Sequence, residues 1–432
     1  MKYVIWGCGK RGKALSILLG KDTVRAFIDN NRKLEGTFFL DIPVISYKEY
    51  MLNNSHEIVI IAVKGAERSI GEILDKDKKP WIAIDSIEYI SILNQIRLGF
   101  NSILERTDTD GINIIYGFNV YGVYLYELLK NHNRTPYFFI ENCKSEMLSK
   151  TIEEEFPVLS KNMLENKTVK CFFAVESDYN EKWVNNICKQ LIEIHKIYKE
   201  YKIFCNAELK KFHNMHRGKR CFVIANGPSL RMSDLDLLRT HGEICMGVNG
   251  IFKAFDMTKW RPDYYFICDI FGVLQWKEAI LHMDVGEKFI ADTGWFFEDE
   301  EVTKNMHRFH SYMEYCADRL PQFTNDYSMY SYWGGSVIYD GPLQMAMYMG
   351  FEEIYMLGAD CTIEESQEKQ HFIKNYEDDK FSKSYGLDLK QVFKGYESAR
   401  KYAEQHNVRM FNATRGGNLE ILERVDFDSL FN

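Results

Sequence analysis

The sequence predicts an α/β protein made of three consecutive modules, the first two being copies of one another. Three observations support this prediction. Apolar strand patterns alternate with helix patterns along most of the chain, glycine turns follow several strands, and the opening pattern returns after about 110 residues. Strands that alternate with helices usually form parallel sheets covered by helices. At 432 residues, the chain is also too long for one ordinary core.

The composition is that of a folded globular protein and excludes several classes of function. Apolar residues make up 46% and charged residues 27% of the chain, which argues against long disordered regions. The formal net charge of -8 gives no general attraction to nucleic acid or to an anionic membrane. No signal peptide and no membrane-spanning apolar run is evident. We therefore expect a cytoplasmic protein without nucleic-acid partners, and leave open a peripheral contact with the inner face of the membrane and a homo-oligomer.

The first module, residues 1–105, opens with a glycine turn between a strand pattern and a helix pattern, and its second strand ends in an acidic residue. The residues concerned are Gly7, Gly9, Gly12 and Asp29. In dinucleotide-binding Rossmann modules, such glycines admit a pyrophosphate and the acidic residue binds a ribose hydroxyl. The same glycines also suit a tight strand-to-helix turn that binds nothing. Both interpretations, a nucleotide site and a bare turn, stay open.

The second module, residues 106–180, repeats this order. Ile140-Glu141-Asn142 follows Ile28-Asp29-Asn30 by 112 residues, and Pro157-Val158 follows Pro43-Val44 by 114 residues. This regularity predicts an internal duplication of one Rossmann-like module. In the second copy an asparagine, Asn119, replaces the middle glycine beside two bulky residues, so we expect no dinucleotide there. The pattern resembles the small Rossmann-like modules attached to bacterial sugar-modifying enzymes, and that resemblance implies no hydride chemistry.

A helical linker is predicted over residues 181–218, because apolar residues recur there at spacings of three or four. His213 and His216 are three residues apart and could share a metal on a helix, but no third ligand is evident. The ten cysteines contain no Cys-x-x-Cys pair. We expect no metal and no bound cofactor.

The third module, residues 219–432, places polar groups at the ends of apolar strand patterns, and a Gly-Gly-Ser loop precedes a helix pattern. These residues are Asn226, Gly227, Pro228, Ser229, Asn249, Asp269, Gly334, Gly335, Ser336 and Asp360. The carboxyl ends of parallel strands share one edge, and open α/β sheets bind their ligands there. A glycine loop before a helix suits an anionic ligand. The module is therefore predicted to be a doubly wound domain with these residues around one crevice.

These motifs resemble a superfamily that joins family 42 bacterial sialyltransferases, motility-associated flagellin glycosyltransferases and an archaeal 6-hydroxymethylpterin diphosphokinase family. The segments that carry the resemblance are Asn226-Gly-Pro-Ser-Leu230, Val248-Asn249, Gly334-Gly335-Ser336 and Ile354-Tyr-Met-Leu-Gly-Ala-Asp360. Their order and spacing agree over the third module, about half of the chain. The resemblance implies a glycosyltransferase-like domain that uses a nucleotide-activated sugar.

The resemblance also implies roles for individual residues. The Asn226 loop would contact the nucleotide and its phosphate, Asn249 the donor sugar or ribose, and Gly335-Ser336 the cytidine or phosphate. In the sialyltransferases a histidine after the last of these strands is the general base, and nearby tyrosines steady the leaving phosphate. Here that segment contains His371, Tyr376 and Tyr385, with His371 only eleven residues after Asp360. His371 and Asp360 are the predicted catalytic residues.

The leading interpretation is a glycosyltransferase that moves a sugar, such as a CMP-activated relative of sialic acid, onto a surface glycan or a protein acceptor. No Asp-x-Asp follows a buried strand, which favours metal-independent transfer. One alternative is a diphosphotransferase acting from ATP on a small alcohol. Another is a non-catalytic scaffold that binds a nucleotide sugar. A structure in which His371 and Asp360 lie far from the Asn226 loop would favour this alternative. For the aromatic segment 282–332, a lid, a dimer contact and core packing stay open.

Overall fold

A computed structural model of the chain describes residues 3–53, 57–84, 89–100, 104, 107, 111–141, 143, 145–164, 167, 169–194, 205–297, 301–312, 319–362, 370–376 and 388–432. The chain divides into two compact units, Met1–Ile203 and Phe204–Asn432. Each unit alternates strands with helices, and its main sheets are parallel. The predicted α/β class is therefore confirmed. Within the described part of the chain, every helix is too short or too polar to cross a lipid bilayer.

The first unit holds two sheets. Its strands are β1 (Tyr3–Trp6), β2 (Val24–Ile28), β3 (Phe38–Phe39), β4 (Ile42–Ile45), β5 (Val59–Ile61), β6 (Trp81–Ala83), β7 (Ile112–Tyr116), β8 (Pro136–Phe139), β9 (Val169–Ala174) and β10 (Cys188–Glu193). Its helices are α1 (Lys10–Leu19), α2 (Tyr47–Leu52), α3 (Glu67–Lys76), α4 (Tyr89–Leu98), α5 (Val120–Asn131), α6 (Glu146–Glu155), α7 (Lys161–Leu164) and α8 (Glu181–Ile187).

The two sheets of this unit have the same arrangement at their centres. The first has the order β3-β4-β2-β1-β5-β6 and the second β10-β9-β7-β8. In the first, β1 lies between β2 and β5, and in the second β7 lies between β8 and β9, all in parallel. A glycine turn leads from β1 into α1 and from β7 into α5. A duplication would leave this pattern, but the duplication itself stays a prediction.

Among its described residues, the predicted helical linker begins as a helix and then forms a strand. Helix α8 ends at Ile187, and the next six residues form β10, which pairs in parallel with β9. Without β10, that side of β9 would carry unpaired backbone groups, and satisfying them outweighs a weak local helix preference. Further along, Ala207–Phe212 is a short 3-10 helix of the second unit.

The second unit is built on one large sheet. Its strands are β11 (Arg220–Ile224), β12 (Ile244–Val248), β13 (Tyr264–Ile267), β14 (Glu287–Ala291), β15 (Met306–Phe309), β16 (Ser311–Tyr312), β17 (Ser331–Tyr332), β18 (Glu353–Leu357), β19 (Arg409–Asn412) and β20 (Glu423–Arg424). Its α-helices are α9 (Met232–Thr240), α10 (Ile270–His282), α11 (Gln344–Tyr348) and α12 (Leu389–Gln405). Asn249–Ala254, Asp292–Gly294 and Asp428–Phe431 are 3-10 helices, and Tyr339–Leu343 is a π-helical turn that runs into α11.

The strand order of this sheet places a topological switch point beside β11. The order is β15-β14-β13-β12-β11-β18-β19-β20, and all its pairs are parallel. The chain runs outward from β11 to β15 and then returns to β18 on the other side of β11. In such sheets the ligand crevice lies at the carboxyl ends of the two strands where the order reverses. Here those ends are Ile224 and Leu357.

Burial on both faces explains why the strands of this sheet are nearly continuous apolar runs. In β11, the four residues Cys221 to Ile224 are each 0% exposed, as a parallel sheet covered on both faces requires. The aromatic segment 282–332 contributes β14 and β15, and Phe289, Phe309 and Tyr327 from it are buried in the core. For these residues, core packing is the correct alternative.

Candidate active site

The loop after β11 and the end of β18 are held side by side at the switch point. Ser229 Oγ donates a hydrogen bond to Asp360 Oδ2 at 2.8 Å, and Gly227 N donates to Gly358 O at 2.9 Å. A Cβ atom on Gly227 would lie 1.9 Å from Asp360 Oδ2, so only glycine permits this approach. Burial raises the pKa of Asp360, opposed by its hydrogen bonds from Ser229. Asp360 therefore anchors the loop at the switch point.

Asn226 has an orientation fixed by the neighbouring strand. Its Nδ2 donates to Val248 O at 2.9 Å, so its Oδ1 must face the other way. Asn249 directly follows Val248 and has a left-handed backbone with φ of +49°, which asparagine tolerates well. The Oδ1 atoms of both asparagines are buried and accept no hydrogen bond from the described residues. Because leaving a buried acceptor unpaired costs about 1–3 kcal/mol, this pair suits a ligand that supplies hydrogen-bond donors.

The segment that contains His371 and Tyr376 lies directly against these two loops. His371 Nδ1 is 3.3 Å from Asn226 O, and the imidazole stacks on the Tyr376 ring with centroids 3.9 Å apart. The Tyr376 hydroxyl accepts a hydrogen bond from Gly250 N at 2.7 Å. The third predicted residue of this segment, Tyr385, lies outside the described residues.

These contacts set the protonation of His371. With Nδ1 donating to Asn226 O, the neutral ring carries its lone pair on Nε2. Burial lowers the pKa of His371 to about 4; the hydrogen bond to Asn226 opposes this shift and Lys253 adds to it. The imidazole is therefore neutral at pH 7, and its lowered pKa makes it a weaker base than an ordinary histidine.

Asp269 lies on the same edge but further along it, because β13 is separated from β11 by β12. Its Oδ1 caps α10 by accepting hydrogen bonds from Phe271 N at 2.8 Å and Gly272 N at 3.4 Å. The structure thus brings Asn226, Asn249 and Asp360 together. Asp269 lies at the end of another strand of the same sheet, where it caps α10.

The Gly334-Gly335-Ser336 loop leads into the helix of residues 337–348, as predicted. Its glycines also serve packing. A Cβ on Gly334 would lie 2.1 Å from the Tyr339 ring, and one on Gly335, where φ is +95°, would lie 2.9 Å from Gln391 Cγ. Close packing against Tyr339 and against α12 therefore requires these glycines whether or not a ligand approaches them.

Four buried residues near this loop were not among the predicted site residues. They are Asp292, His310, Ser311 and Asp340. Asp292 and His310 follow β14 and β15 directly, so they show the same signal, a polar residue after an apolar strand, as Asn226 and Asp269. The poor periodicity of the aromatic segment hid those two strands. Asp340 is a carboxylate inside a largely apolar helix, which is a signal in itself.

The N-terminal fingerprint forms the predicted strand–turn–helix. A Cβ on Gly12 would lie 1.9 Å from Gly7 O, and Asp29 Oδ2 accepts a hydrogen bond from Cys8 N at 2.7 Å. Gly9 precedes α1 without a side-chain cap and has no atom within 4 Å of a Cβ position. The glycines thus shape the turn, and nucleotide binding there stays a prediction.

The corresponding turn of the second module is filled by its own side chains. Asn119 Oδ1 accepts hydrogen bonds from Tyr121 N and Gly122 N, and Glu176 Oε1 accepts one from Phe118 N. These oxygens already use the amides at the start of α5, where a pyrophosphate would bind. The absence of a dinucleotide from the second module stays a prediction.

The second unit is a doubly wound α/β domain of the class that binds ligands at a switch point. Residues 195–366 match the family model described as 6-hydroxymethylpterin diphosphokinase MptE-like. Over these residues, the resemblance to that superfamily is confirmed. The solved MAf glycosyltransferase from Magnetospirillum magneticum AMB-1 is similar at 12% identity and a TM-score of 0.34, over 85% of this chain and 67% of that chain. No curated protein matches the sequence.

Proposed function

We propose that the second unit is a group transferase that binds a nucleotide-activated donor at the switch point, with glycosyl transfer as its reaction. One observation carries this proposal: the candidate base and the nucleotide loop are in direct contact, through His371 Nδ1 and Asn226 O. A mere scaffold has no need of a neutral, buried imidazole at that place. The proximity of His371 and Asp360 to the Asn226 loop therefore disfavours the scaffold alternative.

In this reaction an acceptor hydroxyl attacks the donor carbon and the bond to the nucleotide phosphate breaks. His371 Nε2 takes the hydroxyl proton as the new bond forms, and the nucleotide leaves with the bonding electrons. Its growing negative charge would be stabilised by the start of the helix at Ser336 and by backbone amides. We propose a CMP-linked, sialic-acid-like sugar as the first donor to test, and a surface glycan or a protein as the acceptor.

A diphosphotransferase is the second candidate, and the match of residues 195–366 favours it. Binding of CMP, UDP, GDP and ATP, measured by thermal shift, tests both candidates. A ligand at 100 times its dissociation constant should raise the free energy of unfolding by ~2.7 kcal/mol. Nucleotide release then separates the reactions, since diphosphate transfer from ATP yields AMP whereas transfer from a CMP-sugar yields CMP. If none of the four nucleotides stabilises the protein, the proposal fails.

Metal independence is part of the proposal. Among the described residues, no group of three or more His, Cys, Asp or Glu side chains could hold a metal ion. Transfer measured with and without a chelator tests the point directly: full activity in chelator agrees with the proposal, and loss restored by a divalent cation contradicts it.

The buried, unpaired side-chain oxygens of Asn226 and Asn249 predict which part of the donor these residues bind. Their buried oxygens can accept hydrogen bonds from ribose or sugar hydroxyls, whereas a phosphate oxygen would be repelled. We therefore expect Asn249→Asp to keep nucleotide affinity within about threefold, and Asn249→Leu to lower it by about tenfold or more. Asp tolerates the left-handed backbone of position 249 almost as well as Asn. Calorimetry with CMP and cytidine measures both variants.

The reverse ranking would place a phosphate at Asn249, because an added negative charge repels an anion more than an apolar side chain does. Cytidine serves as the control ligand, since it lacks the phosphate. If Asn249→Asp loses CMP but retains cytidine, the hydroxyl assignment is wrong while nucleotide binding stands.

A further inference from the structure

A chain of buried polar side chains runs from the ends of β14 and β15 to the Gly334-Gly335-Ser336 loop. His310 Nδ1 contacts Asp292 Oδ2, and Ser311 N donates to Asp292 Oδ1 at 3.3 Å. Ser311 Oγ lies 3.3 Å from Asp340 Oδ2, and Asp340 Oδ1 accepts from Gly334 N at 2.9 Å. The four side chains are each at most 3% exposed. Burying such a network costs free energy, which suggests that its contact with the loop has a function.

Asp340 is hydrogen-bonded to the backbone of the Gly334-Gly335-Ser336 loop. It lies in the first turns of the helix of residues 337–348, and its carboxyl group reaches back to the Gly334 amide. We propose that Asp340 is a positioning residue that, in its protonated form, orients the loop for the anionic part of the donor, and that its ionisation weakens anion binding. This inference rests on the proposed function.

Burial explains why a carboxyl group can do this at neutral pH. It raises the pKa of Asp340 to about 8, opposed by the hydrogen bonds from Gly334 and Ser311. A neutral carboxyl accepts the Gly334 amide without placing a negative charge behind the loop, and its proton can be donated to Ser311 Oγ. Above pH 8 the ionised carboxylate would repel a phosphate bound in front of the loop.

Few other groups near Asp340 change charge in this range. The titratable groups that face it are Cys268, Tyr327 and, beyond Ser311, the Asp292–His310 pair. Burial raises the pKa of Cys268 and of Tyr327 well above their usual values, so both stay neutral while Asp340 ionises. Asp292 and His310 are already bonded to each other. The pH dependence can therefore be assigned to Asp340 by substitution.

The test is CMP affinity between pH 7 and pH 9.5, where the phosphate, with a second pKa of about 6, stays fully ionised. We expect the affinity of the wild-type protein to fall about tenfold across this range. Asp340→Asn should show a flat profile with nearly wild-type affinity at pH 7, because its amide mimics the protonated acid. Asp340→Ala should bind CMP weakly throughout, because the Gly334 amide loses its acceptor. An equal fall in wild type and Asp340→Asn would overturn the inference, as would wild-type affinity in Asp340→Ala.

Two further measurements do not depend on ligand. Hydrogen exchange at the Gly334 amide should be faster in Asp340→Ala than in Asp340→Asn, and equal rates would overturn the positioning role. Because the folded-state pKa of about 8 exceeds the usual 3.8, the contribution of Asp340 to wild-type stability should decrease as pH rises between these values. The decrease is best measured from pH 6.5 to 8, above the range in which His371 contributes a change of opposite sign. Asp340→Asn should lack this decrease. If no nucleotide binds the wild-type protein, the proposed function fails, while these two measurements still decide whether Asp340 positions the loop.

Discussion

Replacing His371 by alanine should lower turnover by ~10²–10⁴-fold and leave donor affinity nearly unchanged. The imidazole is placed to take the acceptor proton, which matters only as the new bond forms. Steady-state kinetics together with CMP binding separate the two effects. The matched control is His406→Ala, since His406 is exposed at the end of α12 and should not affect either quantity. Full turnover in His371→Ala would remove this residue from the mechanism.

The pH dependence of kcat/KM is a second test of the role of His371. The base must be deprotonated, and burial lowers the pKa of His371 to about 4. We therefore expect kcat/KM to stay level down to about pH 5, where an ordinary histidine with a pKa near 6.5 would already be protonated. Because the folded-state pKa is below the unfolded value, the contribution of His371 to the free energy of unfolding should also fall as pH drops from 6.5 to 4. His371→Ala should lack this part of the fall.

Gly227→Ala should both destabilise the second unit and lower nucleotide affinity. The added methyl group would lie 1.9 Å from Asp360 Oδ2 and 2.5 Å from Gly358 O, and the backbone directly after β18 cannot easily move away. The Asn226 loop would have to move away and lose its bonds to Gly358 and Asp360. We expect a cost of roughly 1–3 kcal/mol in the free energy of unfolding, and at least a tenfold loss of CMP affinity, about 1.4 kcal/mol.

Denaturant unfolding and calorimetry measure these two losses. Gly242→Ala is the matched control, because Gly242 has a left-handed φ of +64° but no atom within 4 Å of a Cβ position. It should cost about 1 kcal/mol through its backbone alone and leave CMP affinity unchanged. If the two variants lose the same stability and the same CMP affinity, the close approach of Gly227 to Asp360 is not needed for nucleotide binding.

Much of the fold could be predicted from local patterns. The strands β1, β2, β7 and β11 coincide to within one residue with apolar runs of the sequence, which cover residues 2–6, 24–28, 112–116 and 221–225. Buried parallel strands must be apolar throughout, so they stand out in the sequence. The residues after β11, β12, β13 and β18 were singled out for the same reason, since a polar group at the end of a buried run has to lie at the sheet edge.

Local patterns failed where the structure depends on distant partners. Residues Cys188–Glu193 have a helical spacing of apolar residues, yet they form β10, because β9 offers them backbone hydrogen bonds. The strands β14 and β15 lie in an aromatic segment without clear periodicity, and they complete the edge of a sheet begun earlier in the chain. With these strands missed, Asp292 and His310 were missed too.

The sequence by itself determined the α/β class, the strand ends that carry polar groups and the resemblance that points to a transferase. Only the tertiary structure decided which of those ends meet. Ser229 and Asp360 are 131 residues apart and His371 lies 145 residues from Asn226, yet both pairs are in contact. The strand order brings them together, and that order follows from packing the whole sheet between its helices. The protonation of His371 and of Asp340 depends on the same packing, because only burial shifts their pKa values so far from the ordinary ones.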